Sequence, residues 1–206
     1  MLRLANRDKG QAFPIYAWMV AGLLFLALAF FAVGQAAAKR NGAQGAADAA
    51  ALAAAQEARD TLGPGWHLGL LDRDGWEAML DGKAFSAAQS CAAAEDFAAA
   101  NSAQVVAGGC HVATPRFHVA VQTTSAVGNS VVPGTENIHA KASATAVIEP
   151  RCEIGSWTDP PPDSDSDRPS GPFEITCKGR PVRIDPSDLD PWRTLAKVLF
   201  DVRLAD

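Results

Sequence analysis

Hydrophobic residues dominate one long run near the N-terminus, from Ala12 to Ala38. The run carries no charged residue and is longer than the roughly 20 residues that a helix needs to cross a bilayer core. Pro14 stands in the first helical turn, where its missing N–H is tolerated, and Tyr16 and Trp18 lie near the expected membrane interface. The pattern therefore predicts a transmembrane helix over residues 12–38.

A cleavable signal peptide is the alternative interpretation of this run, because Ala36 to Ala38 imitates a cleavage site. The apolar part of a signal peptide is about 7–15 residues long, roughly half of this run, which favours a retained anchor. Positive charges flank both ends of the run, at Arg3, Arg7 and Lys9 before it and at Lys39 and Arg40 after it. Their distribution favours residues 1–11 in the cytoplasm and a C-terminal domain outside the cytoplasmic membrane.

Alanine dominates the residues after the run, and no proline interrupts them before Pro64. Because alanine is the strongest helix former, we expect the helix to continue outside the membrane in an extension assigned to residues 39–62. A helix from residue 12 to about residue 60 has ~49 residues and a length of ~70 Å. Small residues share one face of this extension: Ala43, Ala47, Ala50, Ala51, Ala54 and Ala58. Such a face permits contact with a partner helix, and packing against the chain's own domain is an equally open alternative. The candidate residues for partner-helix contact are Gln44, Ala47, Asp48, Ala50, Ala51 and Ala54.

The patterns over residues 63–206 are shorter and predict one extracytoplasmic α+β domain. Residues 85–106 are rich in alanine and predict a second helix, which Gly108-Gly109 ends. Apolar residues between Trp192 and Val202 have the spacing of an amphipathic helix that closes the domain.

Strand patterns lie between these two helices. Apolar and polar residues alternate over 117–124 and again over 138–148, which predicts two neighbouring antiparallel strands. Two further short strands are expected at Phe173 to Thr176 and Pro181 to Ile184. The predicted fold is therefore a long N-terminal helix, an alanine-rich second helix, a small antiparallel sheet and a C-terminal amphipathic helix.

The net charge of −5 is mild and no basic patch stands out, so we expect no nucleic-acid partner. No sequence motif of a hydrolase, zinc protease or nucleotide-binding loop occurs, and we predict no enzyme, no cofactor and no metal. The four histidines are scattered, at His67, His111, His118 and His139. His118 and His139 fall on the two predicted strands and could meet across the sheet, but two histidines alone make a poor metal site.

All four cysteines lie after the apolar run, at Cys91, Cys110, Cys152 and Cys177. An even number of cysteines in an exported domain indicates disulfides, and we favour Cys91–Cys110 and Cys152–Cys177 because each pair closes a short loop. Free buried thiols are the main alternative, and they would reverse the orientation. Zinc is disfavoured because the cysteines lack close pairs.

An acidic segment carries a weak calcium signal. Asp163, Asp165, Asp167 and Glu174 occupy positions 1, 3, 5 and 12 of an EF-hand loop. Arg168 stands at position 6, where the loop requires glycine, and prolines on both sides oppose flanking helices. We therefore expect residues 158–172 to be a solvated loop.

Two segments together resemble a known family. Arg7-Asp8-Lys9-Gly10-Gln11-Ala12 precedes the run, and Arg40 and then Gln44-Gly45-Ala46-Ala47-Asp48-Ala49-Ala50-Ala51-Leu52-Ala53 follow it. This arrangement resembles the TadE/TadG-like family of Flp (tight adherence) pilus assembly, over about residues 7–58. Prepilin-type sites resemble glycine followed by glutamate at the fifth mature position, but the fifth residue after Gly10 is Ile15. We therefore expect a stationary anchor.

The resemblance implies a membrane-anchored accessory of a Tad/Flp-type pilus or secretion apparatus, either minor-pilin-like or part of the assembly machinery. The predicted α+β fold is compatible with the pilin-like arrangement that this implies. Its expected partners are the other membrane proteins of that apparatus and the lipid bilayer, and the processes are secretion and cell adhesion. An anchored extracellular binding or adhesion module unrelated to pili is the alternative, and it would use the loop between Cys152 and Cys177.

Overall fold

The structure is a computed structural model that describes residues 12–61, 71–82, 85, 89–126, 137–155, 172–185 and 192–205. The helices are α1 (Ala12–Asp60), α2 (Arg73–Leu80), α3 (Ser90–Ala100) and α4 (Trp192–Leu199). The strands are β1 (Ala103–Ala113), β2 (Arg116–Thr123), β3 (Lys141–Pro150), β4 (Cys152–Ile154), β5 (Phe173–Cys177), β6 (Arg180–Ile184) and β7 (Phe200–Leu204).

The helix α1 is continuous over 49 residues, and its two halves have different surroundings. Large apolar side chains are exposed from Phe13 to Val33, whereas Ala43 and most alanines after it are buried. Gly42 and Gly45 lie inside α1 and do not interrupt it. By length and composition, this helix is long and apolar enough to cross a membrane. The predicted long N-terminal helix is confirmed.

The larger sheet has the strand order β1-β2-β3-β7, and all neighbouring strands in it are antiparallel. One face of this sheet carries Phe117, Val119 and Val121 of β2, which are fully buried. The helices α1 and α3 pack against that face, so Ala50 and Ala54 of α1 belong to the same hydrophobic core as the sheet. The predicted α+β class and the pairing of its two central strands are confirmed.

A second sheet has the strand order β4-β5-β6. Cys152 lies directly opposite Cys177 in the pairing of β4 with β5. The indole of Trp76 in α2 packs edge-on against the ring of Phe173 in β5, with ring centroids 4.9 Å apart. The two strands predicted for this region are confirmed as β5 and β6, and this ring contact joins the second sheet to the common core.

The strand β1 includes Gly108-Gly109, although the sequence predicts that these glycines end a helix over 85–106. That prediction is wrong for the residues of β1. The glycines instead lie in a bulge where the register shifts between Val105 and Cys110. A Cβ at Gly109 would lie 2.8 Å from the carbonyl oxygen of Ala120, so only glycine permits this approach of β1 to β2.

The helix α4 ends at Leu199, and the following residues form β7. The prediction that the last helix includes Val202 is therefore wrong. Val202 pairs with Ile148 of β3 in an antiparallel register. Pairing with β3 gives the backbone of this segment its hydrogen bonds and directs alternate side chains toward the core, which outweighs the helical spacing.

Candidate functional site

The small-residue face of α1 is covered by the chain itself. Ala47, Ala50, Ala51 and Ala54 are each 0% exposed and belong to the common core. In the structure, this face packs against the chain's own domain, which was one of the two alternatives. These four alanines therefore have no exposed surface in the folded chain.

The remaining two candidates on α1 are polar and lie at the surface of the domain. Gln44 and Asp48 are the two polar side chains within residues 43–55, one helical turn apart. The side-chain amide of Gln44 donates a hydrogen bond to Asp48 Oδ1 at 2.8 Å. The same Nε2 donates a longer one to the carbonyl oxygen of Ser143 in β3, at 3.4 Å.

A cleft of about 470 Å³ opens beside these two residues. Among the described residues, the pairing of β7 with β3 begins at Ala146, and a backbone hydrogen bond from Ala205 N to Thr145 O, at 2.8 Å, lies beside the cleft. The cleft is lined by Gln44, Asp48, Arg116, His118, Ser143, Ala144, Thr145, Leu204 and Ala205. It therefore lies at the edge of β3, where β7 stops.

Residues of opposite charge line the two sides of this cleft. Asp48 approaches from α1, which packs on the buried face of the sheet. Arg116 and His118 alternate with buried residues of β2 and so lie on the other face. His118 Nδ1 lies 3.0 Å from Thr145 Oγ1, which fixes its ring beside the cleft.

The histidine arrangement differs from the expected one. The ring of His118 stacks with that of His111 on β1, with centroids 6.5 Å apart, and does not meet His139. His139 Nδ1 instead lies 2.7 Å from the carbonyl oxygen of Thr123. Among the residues that the structure describes, no group of three or more His, Cys, Asp and Glu side chains is arranged to hold a metal ion. His67 lies outside the described residues.

The weak calcium candidates are mostly beyond what the structure describes. Asp163, Asp165 and Asp167 lie outside the described residues. Glu174 lies in β5, opposite Arg183 of β6. This cross-strand position next to a cation gives Glu174 a neighbour of opposite charge within its own sheet.

The structure contains both of the favoured disulfides, Cys91–Cys110 and Cys152–Cys177. The first joins α3 to β1 next to the bulge, and the second joins β4 to β5. These two bonds account for all four cysteines of the chain, so none of them is a free thiol.

An ion pair on the exposed face of the larger sheet leads to a pH prediction. Arg203 Nε donates to Glu149 Oε2 at 2.8 Å, and the neighbouring Nη2 donates to Oε1. These hydrogen bonds are the main reason why the pKa of Glu149 lies below its ordinary 4.5. Because the folded-state pKa is the lower one, the pair stabilises the fold above the unfolded pKa and loses this effect as the pH falls through the folded pKa.

We expect a carboxyl NMR titration of Glu149 to have a lower midpoint in the wild-type chain than in an Arg203→Gln variant, which replaces the charged guanidinium and its two donor nitrogens by a shorter, neutral amide. Arg73→Gln is a matched control, because Arg73 pairs with Glu77 on α2. Equal Glu149 midpoints in the wild type and in Arg203→Gln would contradict the assignment.

The comparison with known families concerns the same helix that contributes Gln44 and Asp48. Residues 10–57 match the family model of putative Flp pilus-assembly TadE/G-like (Tad) proteins. No curated protein and no solved structure matches the chain. The match confirms the resemblance seen in the sequence, and it supports a role related to pilus assembly. The Tad-like segment, residues 10–57, includes both the exposed apolar half of α1 and the half buried in the domain core.

The Tad match also bears on the class of protein. Tad is a structural and assembly family, which agrees with the expectation that the chain is not an enzyme. The sequence contained one indication of the cleft. Gln44 and Asp48 are polar residues in a segment that otherwise consists almost entirely of alanine. Arg116, His118 and Thr145 carried no such signal, since their positions beside the cleft depend on strand pairing.

Proposed function

We propose that the chain is a membrane-anchored accessory of a Tad/Flp-type pilus or secretion apparatus, minor-pilin-like or part of the assembly machinery. The observation that carries this proposal is the continuity of α1 within the Tad-like segment. One helix of 49 residues joins an exposed apolar half to a half that is built into the core of the folded domain. The apolar half anchors the chain, and the domain is fixed to it without a flexible linker.

The orientation in this proposal has the N-terminus inside and the folded domain outside the cytoplasmic membrane. Two disulfides in the domain support this, because disulfides persist in oxidising compartments outside the cytoplasm. The positive charges before the apolar run support the same orientation.

Contact with partner helices is assigned to the exposed half of α1, residues 13–38, because the alanines of the other half are already buried. Within a membrane, helices associate through close packing at small residues. Gly22 and Gly34 are such positions, and a Cβ added at either glycine would meet no atom of the chain within 4 Å. The space beside them is therefore open to a neighbouring helix or to lipid.

The test measures piliation in the host cell after deletion of the gene and complementation. Full-length chain should restore surface pili, whereas a Gly22→Leu/Gly34→Leu variant should restore about tenfold fewer, the equivalent of ~1.4 kcal/mol of lost helix packing. Leu24→Ile is the control, because it changes an exposed apolar side chain at similar volume. All three chains should reach equal levels in the membrane.

Two outcomes would overturn this proposal. Unchanged piliation in the deletion strain would remove the role in pilus assembly. If that strain instead lost attachment to surfaces, the result would favour an adhesion module in which Cys152–Cys177 holds the ends of the intervening segment together.

A further inference from the structure

One end of the folded domain is attached to α1 at Lys39. The ammonium group of Lys39 donates a hydrogen bond to Ser125 Oγ, just after β2, at 2.9 Å. Ser125 is linked in turn to the residues before β3, because Thr123 Oγ1 donates to the carbonyl oxygen of Ser125 and the N–H of Thr123 donates to the carbonyl oxygen of Ala140. The start of β3 therefore lies beside the part of α1 that directly follows the exposed apolar half.

The helix α1 and the strand β3 run in the same direction from this end. Farther along the helix than Lys39, the side-chain amide of Gln44 donates to the carbonyl oxygen of Ser143. The helix rises by about 7.5 Å from residue 39 to residue 44, and the strand rises by about 6.6 Å from residue 141 to residue 143. Lys141 therefore lies at about the same height along the helix axis as Lys39.

This height corresponds to the second surface of the bilayer that the proposed anchor crosses. Tyr16 and Trp18 are exposed aromatic side chains near the start of α1, and such side chains lie at a membrane interface. A helix needs about 20 residues to cross the hydrocarbon core, so the crossing that begins after Trp18 ends just before Lys39. Lys39, Arg40 and Lys141 therefore lie in the layer of lipid headgroups.

The side chains of this region suit a surface of phospholipid headgroups. Cations but no carboxylates occur among its described residues, here termed the anchor end, which are residues 39–43, 123–126 and 137–141. Arg40 and Lys141 are exposed, and Lys39 keeps its full charge because its partner Ser125 is neutral. Ile138 is 50% exposed and adds apolar surface beside the cations. Basic and apolar side chains together are the combination that binds a protein to anionic lipid.

The opposite end of the domain carries acidic side chains. Glu77, Asp81 and Glu153 line a cleft of about 440 Å³ together with Pro150, the last residue of β3. The ten residues of β3 extend over about 30 Å, so this acidic cleft is far from Lys141. A negatively charged surface attracts the anchor end and repels the acidic cleft, which favours an orientation with the cleft away from the membrane.

We propose that the anchor end, through Lys39, Arg40, Ile138 and Lys141, binds the headgroups of anionic phospholipids in the membrane that α1 crosses. The three cations contact lipid phosphates, and Ile138 lies at the boundary between headgroups and acyl chains. Lipid is the occupant because this surface continues directly from the apolar half of α1 and carries the complementary charge. The inference rests on the proposed anchor, and it adds that the folded domain itself lies on the membrane surface.

The first test locates the anchor end, with the full-length chain in nanodiscs of an equal mixture of phosphatidylcholine and phosphatidylglycerol. A spin label on the lipid headgroup broadens the NMR signals of nearby amides. We expect strong broadening at Ile138 and Lys141 and little at Val198 of α4. Val198 is a matched control, because it is also an exposed apolar residue but lies at the far end of β3, where the N–H of Arg151 donates to the carbonyl oxygen of Leu199.

A second lipid probe separates this inference from the proposed anchor. A spin label within the acyl chain should broaden the signal of Leu24 in the apolar half of α1. Absence of broadening at Leu24 would contradict the anchor, and the inference with it. Broadening at Leu24 with none at Ile138 and Lys141 would leave the anchor in place and overturn the inference, because the anchor end would then face solvent or a partner protein.

The role of charge is tested by EPR, which measures how strongly spin-labelled phosphatidylglycerol associates with the chain relative to spin-labelled phosphatidylcholine. The wild type should prefer phosphatidylglycerol, and Arg40→Gln/Lys141→Gln should reduce this preference by up to about fivefold for each cation. High salt should reduce it as well. Lys197→Gln is the control, because it removes an exposed cation from α4. Equal preferences in the wild type and the double variant would overturn the inference.

The apolar contribution is tested with Ile138→Ser, which should weaken the headgroup broadening at Lys141, whereas Val198→Ser should leave it unchanged. Melting of each variant is compared with that of the wild type, and the two lipid probes applied to the wild type test the inference without any substitution. None of these measurements depends on piliation, so the role in pilus assembly and the lipid contact fail separately.

Discussion

Replacing Ala50 with leucine is expected to lower the free energy of unfolding of the domain by about 1–3 kcal/mol, through overpacking of a filled core. Ala50 is 0% exposed and lies in the core shared by α1, α3 and the larger sheet. The additional methylene groups have no space, so either α1 must move away from the sheet or side chains must leave their preferred rotamers. The measurement is urea unfolding of the full-length chain in nanodiscs, followed by pulse proteolysis.

Two matched variants on the same helix isolate the cause. Gln56→Leu introduces the same side chain at an exposed position, and it should leave the unfolding free energy nearly unchanged. Gly45→Ala adds a Cβ that meets no atom within 4 Å, and it should stabilise the helix by about 0.5–1 kcal/mol. Equal urea midpoints for Ala50→Leu and Gln56→Leu would contradict the inference that Ala50 lies in a tightly packed core between α1 and the sheet.

Removal of the Cys91–Cys110 disulfide is expected to have an effect of similar size or larger. The bond joins residues 19 apart in sequence, and closing a loop of that length stabilises a folded chain by about 3 kcal/mol in the chain-entropy account. The double variant Cys91→Ser/Cys110→Ser should therefore unfold at a lower urea concentration.

The position of this disulfide adds a local readout. Cys110 follows the bulge in β1, and Cys91 lies in the first turn of α3. Without the bond, backbone amides of β1 next to Cys110 should exchange with solvent faster than those of β3 near Ala146 and Val147, which pair with β2 on one side and β7 on the other. Uniform exchange across the sheet would indicate that the bond does not hold α3 against β1.

Much of the architecture could be predicted because its signals are local. Alanine richness and the absence of proline after Pro14 predict α1, and strict alternation predicts β2 and the first part of β3. The cysteine pairing was also predicted, since in both pairs the cysteines are close in sequence. Each of these inferences depends on residues that are near one another along the chain.

The errors occur where distant partners decide the structure. Residues 200–204 have apolar positions that suit both a helix and a strand, and pairing with β3 selects the strand. Gly108-Gly109 usually indicates the end of an element, yet close approach to β2 places these glycines inside one. The cleft depends on the point at which β7 stops along β3, so no local pattern could predict it.

The uninterrupted course of α1 has a consequence for how the domain is directed around the axis of the helix. Each residue of an α-helix turns the chain by about 100° and advances it by about 1.5 Å. Since Ala43 is already buried, the angular position of the domain is set by the number of residues between it and the exposed apolar half. Inserting or deleting one residue near Gly34 would rotate the cleft beside Gln44 by about 100° around the helix axis, away from its former neighbours. The same change would shift the cleft along the axis by only about 1.5 Å.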